Sequence, residues 1–393
     1  KLPIERKDWR RLSPDEQQSR LEEYLSSDKE RGFVFSKAPL MRLSLIQLGE
    51  RAYRFVWTRH HLLMDGWSVP LLLKEVFAYY ESYSRGEQLE LAERRPYGDY
   101  IAWLQQQDLS KAESHWRETL DGFTTPTPLP LDRQFSGRSP EHGEYLDQRI
   151  SLTQEVTARL QEFTRRHRLT VNTIVQGAWA LLLSEYSCND DVLFGAVVSG
   201  RQAEMIGIEE MIGLFINTLP VRVSVNPDIT ALEYLTILQR QQVAQREYEF
   251  SPLFQVQEWS KIPRGKALFL SVLVFENLPA ETSSRKASKG AARFKIRRVQ
   301  SAEQTNYPLN IIVAPGRELR FRISYDRLLF DEATIRRALN HLKAIIEGVI
   351  TAPGQKLGML AMSSEEERTE ILVRWNDNQS AYPDNLCIHE LYE

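Results

Sequence analysis

Two adjacent histidines followed by an Asp-Gly turn are the residues of this sequence whose types and spacing best suit proton-transfer chemistry. His60 and His61 stand in Thr-Arg-His-His-Leu-Leu-Met-Asp-Gly-Trp-Ser, residues 58–68, and Asp65 and Gly66 form the turn. An imidazole exchanges protons near neutral pH, and a nearby carboxylate can orient a ring or pair with a cation. A glycine lets a reactant approach the backbone closely. We therefore take His60, His61, Asp65 and Gly66 as the candidate catalytic group.

The neighbouring sequence predicts that a strand end and a helix start hold these residues. Residues 40–48 and 53–59 predict two antiparallel strands joined by a tight Gly-Glu-Arg connection. After the turn, Ser68 is predicted to cap a helix that Gly86 ends. Because neighbouring side chains at a strand end point in opposite directions, we expect one histidine to face the core and the other a cleft. The predicted helix carries one apolar stripe, made of Val69, Leu72, Leu73, Val76, Phe77 and Tyr80.

Simpler explanations of the same residues stay open at this level. A histidine pair near an acid is common in protein cores and on surfaces, and Asp-Gly is a common turn. An indole beside a loop, here that of Trp67, is more often a packing wedge than a substrate contact. Adjacent histidines cannot easily bind one ion together, and no other His, Cys or carboxylate stands at a zinc-like spacing, so no metal site is predicted.

Length and composition restrict the class of protein. A chain of 393 residues predicts two subdomains that share a cleft. An apolar share of 42%, a charged share of 26% and a net charge of −3 are typical of a globular protein and do not favour binding to nucleic acid or an anionic membrane. Cys188 and Cys387 form neither a metal spacing nor a disulfide framework, and no segment has eighteen uninterrupted apolar residues. We therefore expect a cytoplasmic protein.

Domain boundaries follow from a change in composition. Residues 123–145 are rich in Pro, Gly and Ser, which predicts an exposed crossover. The predicted organisation is an N-terminal subdomain (1–125), a crossover loop (126–145), a C-terminal subdomain (146–362) and a linker (363–393). A polar run at 280–292 predicts a mobile surface loop.

Periodicity outside the histidine loop predicts a mixture of strands and helices. Two short helices are predicted within 96–120, and longer ones near 154–167, 171–186, 230–247 and 331–349. Strands are predicted near 191–198, 217–225, 267–276, 308–314 and 318–325.

The loop and several later segments resemble one protein family. HHLLMDGWS, residues 60–68, resembles the His-His-x-x-x-Asp-Gly signature of the condensation domains of nonribosomal peptide synthetases. Further segments resemble later motifs of that family in the same order: YGDYIAWLQQQD (97–108), DVLFGAVVSGR (191–201), IGLFINTLPVRV (212–223), SPLFQVQEWS (251–260), LFLSVLVFENLP (268–279) and TNYPLNIIV (305–313). The closing residues 371–393 resemble the linker that leads into an adenylation domain.

The resemblance implies a fold and an extent. The expected fold is of the chloramphenicol acetyltransferase type, an α/β fold with mixed sheets, in which two subdomains form a V around a central substrate tunnel. The earliest family motifs are absent, so the chain is expected to be N-terminally incomplete and part of a larger polypeptide. MDGWS, together with YEFSPLFQVQEW at the place of a His-Gln-Asp-x-Pro-Phe stretch, looks like the subclass that takes an L-configured donor.

The resemblance also implies a reaction and its partners. The amine of an acceptor aminoacyl thioester attacks the thioester carbonyl of a donor aminoacyl or peptidyl group, which forms a peptide bond. Both substrates arrive on phosphopantetheine arms of carrier domains, upstream for the donor and downstream for the acceptor, and an adenylation domain is adjacent. The domain itself binds no metal or cofactor.

Residue roles follow from the match to the signature. His61 would contact the attacking amine, either as a base or as a positioning group, and His60 would be mainly structural. Asp65 would hold the loop through an ion pair, either with Arg201 or with a partner outside this sequence. Gly66 and the amides after it would lie close to the substrate carbonyl. Substrate binding or structural support is expected of Trp67, Ser68, Arg201 and Asn306; Asn306 would either contact substrate or hold its own turn.

Three rival functions stay open at the level of the sequence. An epimerisation domain shares the histidine motif, but that branch usually reads Asp-Gly-Val-Ser-Trp where this chain reads Asp-Gly-Trp-Ser. A non-catalytic recruiting platform usually lacks the second histidine, and His61 is present. An acyltransferase that uses free coenzyme A does not explain the adenylation-type linker.

Overall fold

The computed structural model describes residues 2–132, 145–201, 205–276, 296–297, 299–300, 306–363, 365–377 and 389. The chain divides into two compact units. Unit 1 comprises Lys1–Gln107, Ser199–Asn217 and Leu278–Gln300, and unit 2 comprises Asp108–Val198, Thr218–Asn277 and Ser301–Glu393.

These limits differ from the predicted boundary at residue 125 in two ways. Residues 108–125 belong to unit 2, because Trp116 and Leu120 are buried in a cluster with Val256 and Phe269 of that unit. Residues 199–217 return to unit 1, although the flanking strands lie in unit 2. Composition could not show either feature, since both depend on which apolar side chains meet in space. Most of the predicted crossover, the polar run at 280–292 and Cys387 lie outside the described residues.

Unit 1 is built on a three-stranded sheet with strand order β1-β2-β3. β2 and β3 are antiparallel, as predicted, and β1 lies parallel to β2. One face of the sheet packs on α1 through a small core that contains Trp9, Leu21 and Ile46. The elements of unit 1 are β1 (Ile4–Asp8), α1 (Pro14–Arg31), β2 (Met41–Gly49), β3 (Ala52–Arg59), α2 (Ser68–Arg85) and α3 (Tyr97–Leu104).

Helix α2 ends as predicted but buries different residues from those expected. Gly86 terminates it in a left-handed conformation, with φ of 72°. None of the six residues of the predicted apolar stripe is fully buried, and the buried residues of the helix are Ser68 and Ser82. Both serines hydrogen-bond to backbone carbonyls outside the helix, at Gly213 and Glu87, so polar contacts at its two ends fix α2 in unit 1.

Unit 2 contains a six-stranded sheet with strand order β4-β9-β8-β7-β5-β6, mixed in direction because β5, β7 and β8 are parallel neighbours and β9 is antiparallel to both β4 and β8. Its strands are β4 (Tyr145–Ser151), β5 (Asp191–Val198), β6 (Asn217–Ser224), β7 (Ser271–Phe275), β8 (Leu309–Ala314) and β9 (Arg320–Asp326). Its helices are α4 (Leu109–Thr119), α5 (Gln154–His167), α6 (Val171–Ser187), α7 (Ala231–Gln245), α8 (Leu253–Trp259), α9 (Glu332–Thr351) and α10 (Glu365–Thr369).

The long helices of unit 2 match their predicted bounds closely because their apolar residues recur at helical spacing and caps mark their starts. Thr153 caps α5 and Thr170 caps α6, each accepting a backbone N–H three residues later. Helix α6 is buried along most of its length and packs with α9 in the main core. The segment after residue 363 is held to α9 by His341 Nε2, which lies 2.7 Å from Glu367 Oε2.

Glu249, in the turn after α7, makes the stability of unit 2 depend on pH. Burial raises the pKa of this carboxyl to about 7, from an ordinary value of 4.5. The folded state therefore holds a proton that the unfolded state releases above about pH 4.5. Stability is full below that pH and is lost as the pH rises through 7. We expect wild-type unit 2 to lose about 3 kcal/mol of unfolding free energy between pH 4 and pH 9 through this group. Glu249→Gln should remove that dependence in urea titrations, and an unchanged pH slope in the variant would contradict the assignment.

Among the described residues, we find no helix that combines the length and the apolarity needed to cross a membrane.

Candidate active site

The histidine loop joins β3 to α2 within unit 1, and its first histidine is held by packing. The backbone N–H of His60 donates to the carbonyl of Leu40 at 2.9 Å, and its Nδ1 accepts the backbone N–H of Leu62 at 3.1 Å. The rings of Phe33 and Phe35 lie nearly perpendicular to the His60 ring, at centroid distances of 6.2 and 4.9 Å. These contacts fix the backbone at the end of β3, so the geometry gives His60 a supporting position.

His61 is exposed and begins a single 3₁₀ turn, His61–Leu63. The two histidines thus differ in surroundings: His60 is half-buried near aromatic rings, and His61 is open to solvent. An exposed imidazole whose backbone is fixed by its neighbour can meet a reactant and exchange a proton with it.

Asp65 is fully buried and receives hydrogen bonds from three directions. Its Oδ1 accepts the backbone N–H and the hydroxyl of Ser68, both at 2.8 Å, and its Oδ2 accepts the backbone N–H of Phe215 at 3.1 Å. Nη2 of Arg201 lies 3.3 Å from Oδ1. The predicted ion pair between Asp65 and Arg201 is therefore present, and it ties the loop to the segment 199–217.

Arg201 is also buried. Its Nη1 donates to the carbonyls of Ile208 and Met211 at 2.6 and 3.0 Å, its Nη2 donates to Ser68 Oγ at 2.9 Å, and its guanidinium stacks 3.9 Å from the centroid of the Phe215 ring. Burial lowers the pKa of Arg201, and the adjacent Asp65 opposes that shift. A buried charge of this kind persists only when it is paired and hydrogen-bonded, so the two side chains depend on each other.

Ser68 does not cap α2 as predicted. The helix begins at Ser68 itself, and no side chain caps it from Trp67, the residue before. The Ser68 hydroxyl instead bonds to Asp65 and to the backbone of Gly213. The Asp65 carboxylate, three residues earlier, accepts the backbone N–H of Ser68 at the start of the helix. A carboxylate is a stronger acceptor than a hydroxyl, so Asp65 takes the capping role that was predicted for Ser68.

Trp67 and Gly66 have opposite surroundings. The Trp67 indole donates to the carbonyl of Glu209 at 3.3 Å and lies over Arg201 with a centroid distance of 5.9 Å, so it is a packing contact within unit 1. Gly66 is exposed, and a Cβ placed on it would meet no atom within 4 Å. Packing within the described chain therefore gives no reason for a glycine at this position.

The segment 199–217 supplies contacts that the sequence alone did not identify. The backbone of Gly213 and Phe215 bonds to Ser68 and Asp65, and the Tyr97 hydroxyl donates to the carbonyl of Leu214 at 2.5 Å. Burial raises the pKa of Tyr97, which keeps this hydroxyl protonated as a donor. The motifs around Tyr97 and Gly213 were noted in the sequence, but backbone donors carry no side-chain signature.

Gly200 has to be a glycine for this segment to reach Asp65. Its φ is +63°, and a Cβ on it would overlap the carbonyl oxygen of Phe215. We expect Gly200→Ala to destabilise unit 1 by at least about 2 kcal/mol. Alanine strains the left-handed backbone at this position, and its Cβ overlaps the carbonyl oxygen of Phe215. Thermal unfolding measures the effect, and Gly207→Ala is the matched control: it has φ of +84° but an open Cβ position. Equal losses of stability in the two variants would show that the overlap with the Phe215 carbonyl contributes nothing to the effect of Gly200→Ala.

Asn306 is exposed and belongs to unit 2, where it precedes β8. It is therefore not among the residues that unit 1 brings together around Asp65. In the described part of the chain, no group of three or more His, Cys, Asp or Glu side chains is placed to hold a metal ion.

Comparison with known proteins connects this geometry to a family. A family model described as "Condensation domain" matches residues 1–372. Subunits C and D of linear gramicidin synthase from Brevibacillus parabrevis are each 44% identical over 393 residues, which is all of this chain but only 5% and 8% of those proteins. Bacitracin synthase 3 from Bacillus licheniformis is 36% identical over 396 residues and is covered to 6% of its length.

Solved structures show the same fold at lower identity. A four-domain nonribosomal peptide synthetase bound to AMP and glycine superposes with a TM-score of 0.75 at 18% identity, over 94% of this chain and 28% of that one. The X-domain from teicoplanin biosynthesis superposes with a TM-score of 0.72 at 24% identity, over 84% of this chain and 77% of that one. The predicted α/β fold with mixed sheets, of the chloramphenicol acetyltransferase type, is confirmed.

Proposed function

This chain belongs to the condensation-domain family of nonribosomal peptide synthetases, and from that premise we propose that it joins two carrier-bound substrates through a peptide bond. The donor is an aminoacyl or peptidyl thioester, and the acceptor supplies the amine of an aminoacyl thioester. The observation that carries the proposal is the intact loop of unit 1, in which His61 is exposed while Asp65 and Arg201 are buried and paired.

The reaction balances without a cofactor. The acceptor nitrogen attacks the donor carbonyl, a C–N bond forms, the C–S bond breaks, and the donor arm leaves as a thiol. We assign His61 to the attacking amine, from which it takes a proton that the leaving thiolate finally receives. A free α-amine has a pKa not far above neutrality, so positioning by His61 near the thioester contributes alongside proton transfer.

Gly66 and the amides after it are assigned to the substrate carbonyl. The support is the open space around Gly66, where no atom of the described chain requires a glycine. A side chain there would stand where a substrate approaches the backbone. Trp67, Ser68 and Arg201 support the loop through their contacts, and Asn306 stays a candidate for substrate contact or for holding its own turn.

The partners follow from the same proposal. Both substrates arrive on phosphopantetheine arms of carrier domains, one upstream and one downstream, and an adenylation domain is the neighbour on the C-terminal side. The chain spans 5% and 8% of the two gramicidin synthase subunits it matches, which supports its place in a larger polypeptide. An L-configured donor and a cytoplasmic location complete the proposal. Epimerisation and a recruiting role are not favoured by any contact in the described structure.

Intact-protein mass spectrometry on the full parent module tests the proposal. Donor and acceptor carriers are loaded, loading is verified, and the mass of the acceptor carrier is followed over time. We expect the acceptor to gain the mass of the donor acyl group. If the acceptor never gains this mass although both carriers are loaded, the proposed reaction is wrong and the non-catalytic recruiting role becomes the better explanation.

A further inference from the structure

Asp28 is a buried acid of unit 1 that the proposed reaction leaves without a role. Its side chain is 7% exposed and lies in the last turn of α1, where the helix dipole disfavours a negative charge. Helix formation therefore gives no reason for an acid at this position. The carboxylate faces Arg42 of β2 and Thr58 of β3, which are direct partners across the two antiparallel strands.

Asp28 joins the end of α1 to both strands. Its Oδ1 accepts the Nε–H of Arg42, and its Oδ2 accepts the hydroxyl of Thr58 at 2.5 Å. The other guanidinium nitrogens of Arg42 donate to carbonyls at the end of the helix, Nη1 to Gly32 at 2.8 Å and Nη2 to Asp28 at 2.5 Å. The Arg42 side chain is only 12% exposed. A charge pair removed from water in this way holds its geometry, because either partner alone would be buried without a counterion.

Both partners of Asp28 lead to the histidine loop. Thr58 stands two residues before His60, so its hydrogen bond fixes β3 at the end that carries the histidines. The Arg42 guanidinium lies over the Phe33 ring, 4.4 Å from its centroid, and the Phe33 ring is a neighbour of the His60 ring. The carboxylate thus constrains His60 both through the strand that precedes it and through an aromatic ring beside it.

We propose that Asp28 is a positioning residue for peptide-bond formation: through its two partners it fixes the backbone that carries His61. The inference rests on the proposed function. The His61 imidazole is exposed, and within the described part of the chain no side-chain hydrogen bond holds it. The backbone therefore decides where the ring stands. A displacement of about 1 Å at a reacting group costs up to about 10²-fold in rate.

Thr58→Val tests the assignment with little change of shape. Valine has the size of threonine and suits a strand equally, but it cannot donate to Asp28. In the parent module with a loaded donor carrier, transfer to a soluble N-acetylcysteamine aminoacyl thioester is followed in single turnovers at rising acceptor concentration. We expect the maximal rate to fall about 10–100-fold while the half-saturating acceptor concentration stays within about twofold. Thr58→Ser keeps the hydroxyl and should restore most of the rate.

Tyr24→Phe is the matched control, because it breaks a hydrogen bond between the same helix and β2. The Tyr24 hydroxyl lies 2.6 Å from Ser44 Oγ, and Ser44 pairs across the sheet with Val56, which is further from the histidines than Thr58. We expect the control to lower the temperature of thermal unfolding but to retain the wild-type rate. A wild-type rate in Thr58→Val, a rate that Thr58→Ser fails to restore, or an equal loss of rate in Tyr24→Phe would overturn the positioning role.

The proposed function itself fails if the wild-type module transfers to neither this thioester nor the carrier-bound acceptor. Positioning is then judged without activity, from the ¹⁵N signals of the histidine rings in this chain. The chain has seven histidines, so His60→Gln and His61→Gln are used to assign the two signals of the loop. Thr58→Val should shift both signals and Tyr24→Phe should leave them in place. If Thr58→Val leaves them unchanged, Asp28 does not position the loop.

Discussion

His61→Ala is expected to lower the rate of peptide-bond formation by about 10²–10⁴-fold while leaving the fold intact. The side chain is exposed and begins a single turn, so its removal leaves no buried cavity. What the variant loses is the one group of the loop that can orient the acceptor amine and exchange its proton. The measurement is acyl transfer between loaded carriers in the parent module, followed by intact-protein mass spectrometry.

Two neighbouring variants separate chemistry from support. Leu62→Ala changes an exposed residue of the same turn and should retain the wild-type rate. His60→Ala removes the ring between Phe33 and Phe35 and should lower thermal stability together with the rate. If His61→Ala transfers as fast as the wild type, His61 is dispensable and the positioning of the two substrates carries the reaction.

Arg201→Ala is expected to destabilise unit 1 by about 3–5 kcal/mol, the usual loss when one partner of a buried ion pair is removed. The variant leaves the carboxylate of Asp65 buried without its counterion, and it frees the carbonyls of Ile208 and Met211. Urea denaturation, followed by a probe in unit 1, measures the loss. Activity should fall as well, because the loop that carries His61 is tied to residues 199–217 through this pair.

The matched control is the exposed pair of Arg165 and Glu162, where Arg165→Ala should cost at most about 1 kcal/mol. A double variant that replaces Asp65 with Asn and Arg201 with Met should lose less than the sum of the single losses, since neither charge is then left alone. Additive losses would show that the two side chains stabilise unit 1 independently.

Prediction from sequence worked best where the signal was local. The hairpin of β2 and β3, the stop at Gly86 and the long helices α5, α6 and α9 follow from alternation, caps and helical spacing, which neighbouring residues determine among themselves. The prediction for Ser68 was less accurate. The backbone N–H at the start of α2 is accepted by the Asp65 carboxylate, and the sequence does not show which of two available acceptors takes it. The apolar stripe of α2 was recognised, but not that it would remain partly exposed.

The order of the motifs was sufficient to identify the family, because each motif is a local run of residue types and spacings. The tertiary structure decided what depends on residues far apart in the chain. It made Arg201 the partner of Asp65 and returned residues 199–217 to unit 1. The physical reason is that burial and charge pairing are set by neighbours in space, and those neighbours exist only once the chain has folded.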